Sequence, residues 1–264
     1  MHHIPGTKDI RTARSRMCVR ILGHGTPILF VHGALSDAHV WSPIVDALCA
    51  NHMCIIPDMT GYGESERPGA HAYAYNEDSW TEDALDVLTA LGISRAHLMG
   101  HGEGAHVAIQ LAARAPSIVI SLTALASPLW SDACAGARNA SAIPGWGSLA
   151  LAAWVRTRTA RGDVTVGSML DKRGLDVARA FLRSSRDDRT LRAALATLQT
   201  PMLAILDRDA PDHARVRLRH DTASSERVQI RREQVNELRR GIFDPGFAAH
   251  LSAWLEDKAT AHET

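Results

Sequence analysis

The chain has 264 residues, 45% of them hydrophobic and 22% charged, which gives room for one large domain or two small ones and excludes a miniature scaffold or a disordered chain. Its 29 basic residues are matched by 29 acidic ones, so no general field draws it to nucleic acid or an anionic membrane, and 5% aromatics are too few for base-stacking platforms. Cys18, Cys49, Cys54 and Cys134 lack C-x-x-C spacing and read as reduced thiols, and no apolar stretch has the length of a membrane span or signal-peptide core, so a cytoplasmic location is expected.

From about residue 26 to residue 126, short apolar runs alternate with helix-period stretches, the order expected of a mostly parallel α/β sheet. Residues 28–31 and 53–56 have the length of buried strands. Between them Val40, Trp41, Ile44, Val45, Leu48 and Cys49 recur at spacings of three and four, the buried stripe of a helix. Residues 80–91 predict a second helix, with Trp80, Ala84, Val87, Leu88 and Leu91 as its stripe and Gly92 to stop it. A third strand, 96–99, runs into Gly-His-Gly-Glu-Gly at 100–104, then an alanine-rich helix from about 106 to 114, and 118–125 reads as a further strand. Strand signals cease from 127 to 198, where 149–155 and 177–182 read as helical, and resume at 201–206 before a closing helix with Phe247, Leu251, Trp254 and Leu255. The expected division is a core of residues 1–126 and 199–264, with 127–198 inserted as a helical cap.

Several local signals stand in a meaningful order: His32-Gly33 at a strand end with Trp41 eight residues beyond, Asp58 with Gly61 and Gly63, the glycine turn at 100–104, the strand from Pro201 leading to Asp207, Asp209 and Asp212, and Asp244-Pro245 opening the last helix. In that order they resemble the α/β-hydrolase family over most of the chain outside the cap. The resemblance implies the α/β-hydrolase fold, a mostly parallel sheet flanked by helices. Members carry a nucleophile at the centre of G-x-S-x-G, on a strained turn that lifts it over an oxyanion hole. Here that centre is Gly102, which offers no nucleophile. The family's histidine lies a few residues before a motif such as Asp244-Pro245, yet no histidine stands between Asp221 and Ala249, and the matching position falls near Leu238. With two triad members absent, Ser-His-Asp chemistry is excluded. The backbone N–H groups of Ala34 and Glu103 match the family's oxyanion hole, which can hold an enolate as well as a tetrahedral oxyanion.

His101 either serves as an acid or base above Gly102 or packs behind the turn. Glu103 either starts its helix, where the dipole favours a carboxylate, or faces the vacated position. His32 is read as shaping the oxyanion loop, and Asp58, Gly61 and Gly63 as shaping the next one. The arginine-rich stretch from Arg215 to Arg240 alternates with acids and reads as a solvated face. No H-x-x-x-H pair lies on a clear helix, so neither metal nor cofactor is expected. The catalytic candidates are His101, Glu103 and Asp209, with His32, Leu35, Tyr62, Trp130 and Trp146 lining the cavity.

This fold with a lost triad resembles the atypical α/β-hydrolase-fold peptide epimerase of bottromycin biosynthesis and hydrolase-like proteins of linaridin pathways. The resemblance implies a cofactor-free, non-hydrolytic enzyme that abstracts a proton next to a carbonyl: an epimerase, isomerase or lyase acting on a peptide or small molecule in natural-product assembly. It would work without nucleic acid or membrane, with a homodimer or a biosynthetic partner protein open, and the substrate's own carboxylate could supply the base. Two alternatives stand beside it: a hydrolase-fold protein that only binds a ligand or partner, and an ester or epoxide hydrolase whose nucleophile is Ser36 or Ser65.

Overall fold

The computed structural model describes residues 6–34, 36–125, 172–184, 188–207, 218–222, 227–233 and 245–260. Eight strands form one sheet: β1 (Thr7–Arg11), β2 (Arg16–Leu22), β3 (Thr26–Val31), β4 (His52–Pro57), β5 (Ala96–His101), β6 (Val119–Leu125), β7 (Met202–Asp207) and β8 (Val228–Glu233), in the order β1-β2-β4-β3-β5-β6-β7-β8. Only β2 runs against the others; from β4 across to β8 every pairing is parallel. Parallel neighbours need crossovers, for which helices are the usual solution. The described helices are α1 (Ser42–Leu48), α2 (Glu77–Ala90), α3 (Glu103–Arg114), α4 (Lys172–Ser184), α5 (Asp188–Thr197) and α6 (Pro245–Thr260).

Both faces of the sheet are covered, so its central strands are buried on both sides and mostly apolar, with His97, His101, Ser121 and Thr123 as buried polar exceptions on β5 and β6. Along β3 the side chains divide strictly: Leu29 and Val31 join the layer of α2, α3, α4 and α5, while Ile28 and Phe30 join that of α1 and α6 with Trp41, Ile44, Leu48, Leu251 and Leu255. The α2 stripe is buried as its spacing predicts, and so is Asp83 within it. No described helix is long and apolar enough to cross a membrane.

Several elements depart from the sequence reading. The β1–β2 hairpin precedes the first predicted strand; β1 has one buried residue, Ile10, so pairing with β2 rather than an apolar pattern makes it a strand. β8 lies in the arginine-rich stretch, where Val228 and Ile230 pack on the core while Arg231 faces outward; an edge strand needs only one apolar face. Helix α3 starts at Glu103, not near residue 106, because Gly102 alone absorbs the turn, with φ 60° and ψ −128°.

Of the segment from 127 to 198, the structure describes α4 and α5. Helix α4 sets Val177 against Gly61 and Phe181 against Trp80, ring centroids 4.5 Å apart. Helix α5 lies on α3, with Leu191 and Leu195 in the same apolar layer as the sheet. Residues 126–171, including 149–155, Trp130 and Trp146, lie outside the described residues.

Candidate active site

The chain leaves β3 to form β4 on one side of it and returns to form β5 on the other, so consecutive connections diverge between the carboxyl ends of β3 and β5. Open α/β sheets bind ligands at such a divergence. Here it brings His32-Gly33-Ala34 beside His101-Gly102-Glu103. The turn is fixed by backbone bonds: Gly102 N–H donates to Leu125 O at 3.1 Å, and Ala105 N–H donates to Gly102 O at 3.0 Å.

The three turn glycines differ in what they do. A Cβ on Gly100 would lie 2.5 Å from Ala105 Cα, and one on Gly104 would run into the carbonyls of Val31 and His32, so the first is required for α3 to sit against β5 and the second for it to sit against β3. Among the described residues, a Cβ on Gly102 would meet, beyond its chain neighbours, only Gly33 Cα at 3.6 Å, an ordinary contact. The described residues thus leave room for a side chain at this position, which carries none.

Glu103 faces the site. Its Oε2 accepts the N–H of Ala34 at 3.0 Å, bridging a separation of 69 residues, and would lie 3.0 Å from a Cβ on Gly33. The Ala34 N–H, one half of the expected oxyanion hole, is thus held by a carboxylate oxygen. His101, the last residue of β5, is buried with its ring edge toward Trp41, centroids 6.2 Å apart.

His32 is wholly buried between two loops: its Nδ1 lies 2.8 Å from Gly33 O, and its Nε2 accepts the N–H of Met59 at 2.9 Å, which fixes the proton on Nδ1. Burial pushes its pKa below the usual imidazole value, so the ring stays neutral. Tyr62 packs at 5.6 Å from His32 and 5.2 Å from Trp80, forming the floor under the oxyanion loop. Asp58 joins the two loops, accepting from Ala38 N–H at 2.8 Å and Glu64 N–H at 3.0 Å, with Arg20 at 3.5 Å. Gly63, at φ 50°, leaves the space that this carboxylate fills. Ser65 donates its hydroxyl to Asp58 O at 2.5 Å and accepts Cys18 N–H at 2.8 Å, so its proton and lone pair serve the loop; this removes it as a stand-in nucleophile. Leu35, Asp209, Leu238, Trp130 and Trp146 lie outside the described residues.

One buried group escaped the sequence reading. Asp83 on α2 accepts from Tyr73 Oη at 2.5 Å, Thr60 Oγ1 at 2.7 Å, and Thr12 Oγ1 and Arg14 Nε at 3.3 Å. It ties the β1–β2 turn and the loop after β4 to α2, below the site. Its only sequence signal was an acid one residue from a buried alanine on a helix face. Among the described residues, no group of three or more His, Cys, Asp or Glu side chains is arranged to hold a metal ion.

The family model of the alpha/beta hydrolase fold matches residues 26–197, and the chain belongs to that family. A 2-hydroxymuconate semialdehyde hydrolase from Pseudomonas sp. (strain CF600) is 34% identical over 123 residues, 46% of this chain and 43% of that protein. A fluoroacetate dehalogenase from Burkholderia sp. is 31% identical over 105 residues, 39% of this chain and 34% of the relative. The alignments thus span less than half the length of these curated relatives. Among solved structures, a haloalkane dehalogenase from Bradyrhizobium elkani superposes with TM-score 0.77 at 18% identity, covering 97% of this chain and 99% of that one. A thermophilic esterase from Thermogutta terrifontis gives 0.73 at 17%, covering 96% and 98%. These similarities extend the shared fold over nearly the whole chain.

Proposed function

We propose that this protein is a cofactor-free, non-hydrolytic member of its family that moves a proton at the carbon next to a carbonyl, with Glu103 taking the proton. The observation that carries the reading is a carboxylate held at the Ala34 N–H beside a turn with room for a nucleophile and none present. Without that nucleophile, the acyl- and alkyl-enzyme routes that this turn serves in the family have no starting atom. A carboxylate within the site can accept a proton from carbon; the electron pair moves to the carbonyl oxygen, and backbone N–H groups of the oxyanion loop and α3 hold the enolate. Return of the proton to the opposite face gives an epimer, return to another carbon an isomer, and loss of a neighbouring group an elimination product.

The substrate class, a peptide or small molecule in natural-product assembly, rests on the resemblance to triad-less peptide epimerases. A cap formed by residues 127–198, roofing the site, belongs to the same reading. The hydrolase and dehalogenase activities of the relatives need a nucleophile that this chain does not place at the turn. A second reading, a protein that binds a ligand without altering it, draws support from the same hydrogen bond, because Glu103 already occupies one oxyanion donor.

Deuterium exchange separates the two. In deuterated water, a panel of N-acetyl dipeptide amides and β-keto acids is expected to contain members that gain carbon-bound deuterium with wild-type protein and lose that gain with Glu103→Gln. A panel that binds and stays unlabelled sinks proton transfer in favour of binding alone.

A further inference from the structure

The contact between Glu103 and Ala34 has a counterpart in chemistry: a carboxylate oxygen accepting a backbone N–H in an oxyanion hole occupies the place of the charged oxygen that the hole stabilises. We propose that Glu103 closes the oxyanion position of the ligand-free protein and that a ligand enters by displacing it, so that the site selects molecules presenting a carboxylate or enolate oxygen in its place. This goes beyond the proton-transfer reading, because it concerns what the empty site holds and which ligands open it.

Three observations carry the inference. The Ala34 N–H and the start of α3 are set opposite each other by the parallel pairing of β3 with β5, so the acceptor reaches the donor from a rigid neighbouring element. The loop that bears Ala34 is pinned independently of Glu103, through His32 to Met59 and through Ala38 to Asp58, so the donor stays in position when the carboxylate leaves. Gly33 and Gly102 supply the space: a Cβ at 33 would press on Glu103 Oε2 and His101 O at 3.0 Å, whereas one at 102 would meet, among the described residues beyond its chain neighbours, only Gly33 Cα at 3.6 Å. A ligand oxygen and the Glu103 oxygen therefore compete for one N–H.

Sodium acetate is the smallest probe of this competition, titrated into 15N-labelled full-length protein against sodium chloride of equal ionic strength. In Glu103→Ala the Ala34 amide proton is expected to move upfield and to return downfield as acetate binds, with affinity at least about ten-fold above wild type, the scale of one charge-assisted hydrogen bond. Glu103→Gln, which keeps a neutral acceptor, is expected to lie between the two and decides the matter if the alanine variant does not fold. Equal acetate affinity in wild type and variant, or an Ala34 amide that ignores both the substitution and the acetate, overturns the proposal. Because the experiment reads no turnover, its failure leaves the deuterium-exchange result standing, and the reverse holds too.

Discussion

Two glycine positions within five residues obey opposite rules. Gly104 is glycine because backbone occupies the space where a Cβ would go; at Gly102 the described residues leave that space open, and the local reason they show for glycine is its positive φ. The first is demanded by packing of α3 on β3. The second is set by backbone conformation, in a place where the described residues leave room for a side chain. The lesson is that a glycine held by packing and a glycine held by backbone conformation are told apart by the space around the missing Cβ.

The hardest test of this contrast is Gly104→Ala, expected to cost about 3 kcal/mol or more, since the new methyl meets backbone that cannot yield. Urea unfolding measures it, and a cost below that of Gly102→Ala would erase the distinction. Next in size, Asp83→Ala is expected to lose about 2–3 kcal/mol by leaving the buried donors of Tyr73 and Thr60 unmatched. That loss would show that the floor of the site is scaffold in the same sense as Gly104. Gly102→Ala is expected to cost about 1–2 kcal/mol, from positive φ alone; a cost as large as that of Gly104→Ala would mean that the space is not open.

A graded effect comes from acid. His32 has its pKa pushed down by burial, so the folded state prefers the neutral ring; its contribution is complete above the unfolded value of about 6.5 and is lost as pH falls below that toward the folded value. Urea midpoints are expected to drop from pH 7.5 to 5.0, with the His32 ring carbons still showing the neutral form at pH 6.0. A ring that titrates near 6.5 would contradict the burial. The smallest expected effect is none: Gly102→Ser should leave hydrolysis of 4-nitrophenyl acetate at the buffer rate, since a serine without a histidine base is a poor nucleophile. Turnover by that variant would reveal a base that the sequence reading does not find.

Much of the fold was legible before the structure. The alternating apolar runs marked β3 to β7, and stripes at helical spacing marked α1, α2 and α6, because burial on two faces or one imprints a period on the chain. β1, β2 and β8 were not legible: β1 and β8 are edge strands held by hydrogen bonds to one neighbour, and β2, paired on both sides, interrupts its apolar residues with Arg16 and Arg20. The candidate site divided in the same way. His101 could be an acid or packing, and the structure adds that its ring lies against Trp41, centroids 6.2 Å apart. Asp83 was invisible as a hub because its four partners come from three separate stretches of chain.

By itself the sequence determined which side chains the chain can bring to the turn. No folding can add a side chain to Gly102 or a histidine to the stretch between Asp221 and Ala249. Only the tertiary structure decided what Glu103 touches. Whether Glu103 turns to its own helix or to the Ala34 N–H is a choice among side-chain rotamers. It is settled by a donor 69 residues away that the pairing of β3 with β5 brings within 3.0 Å.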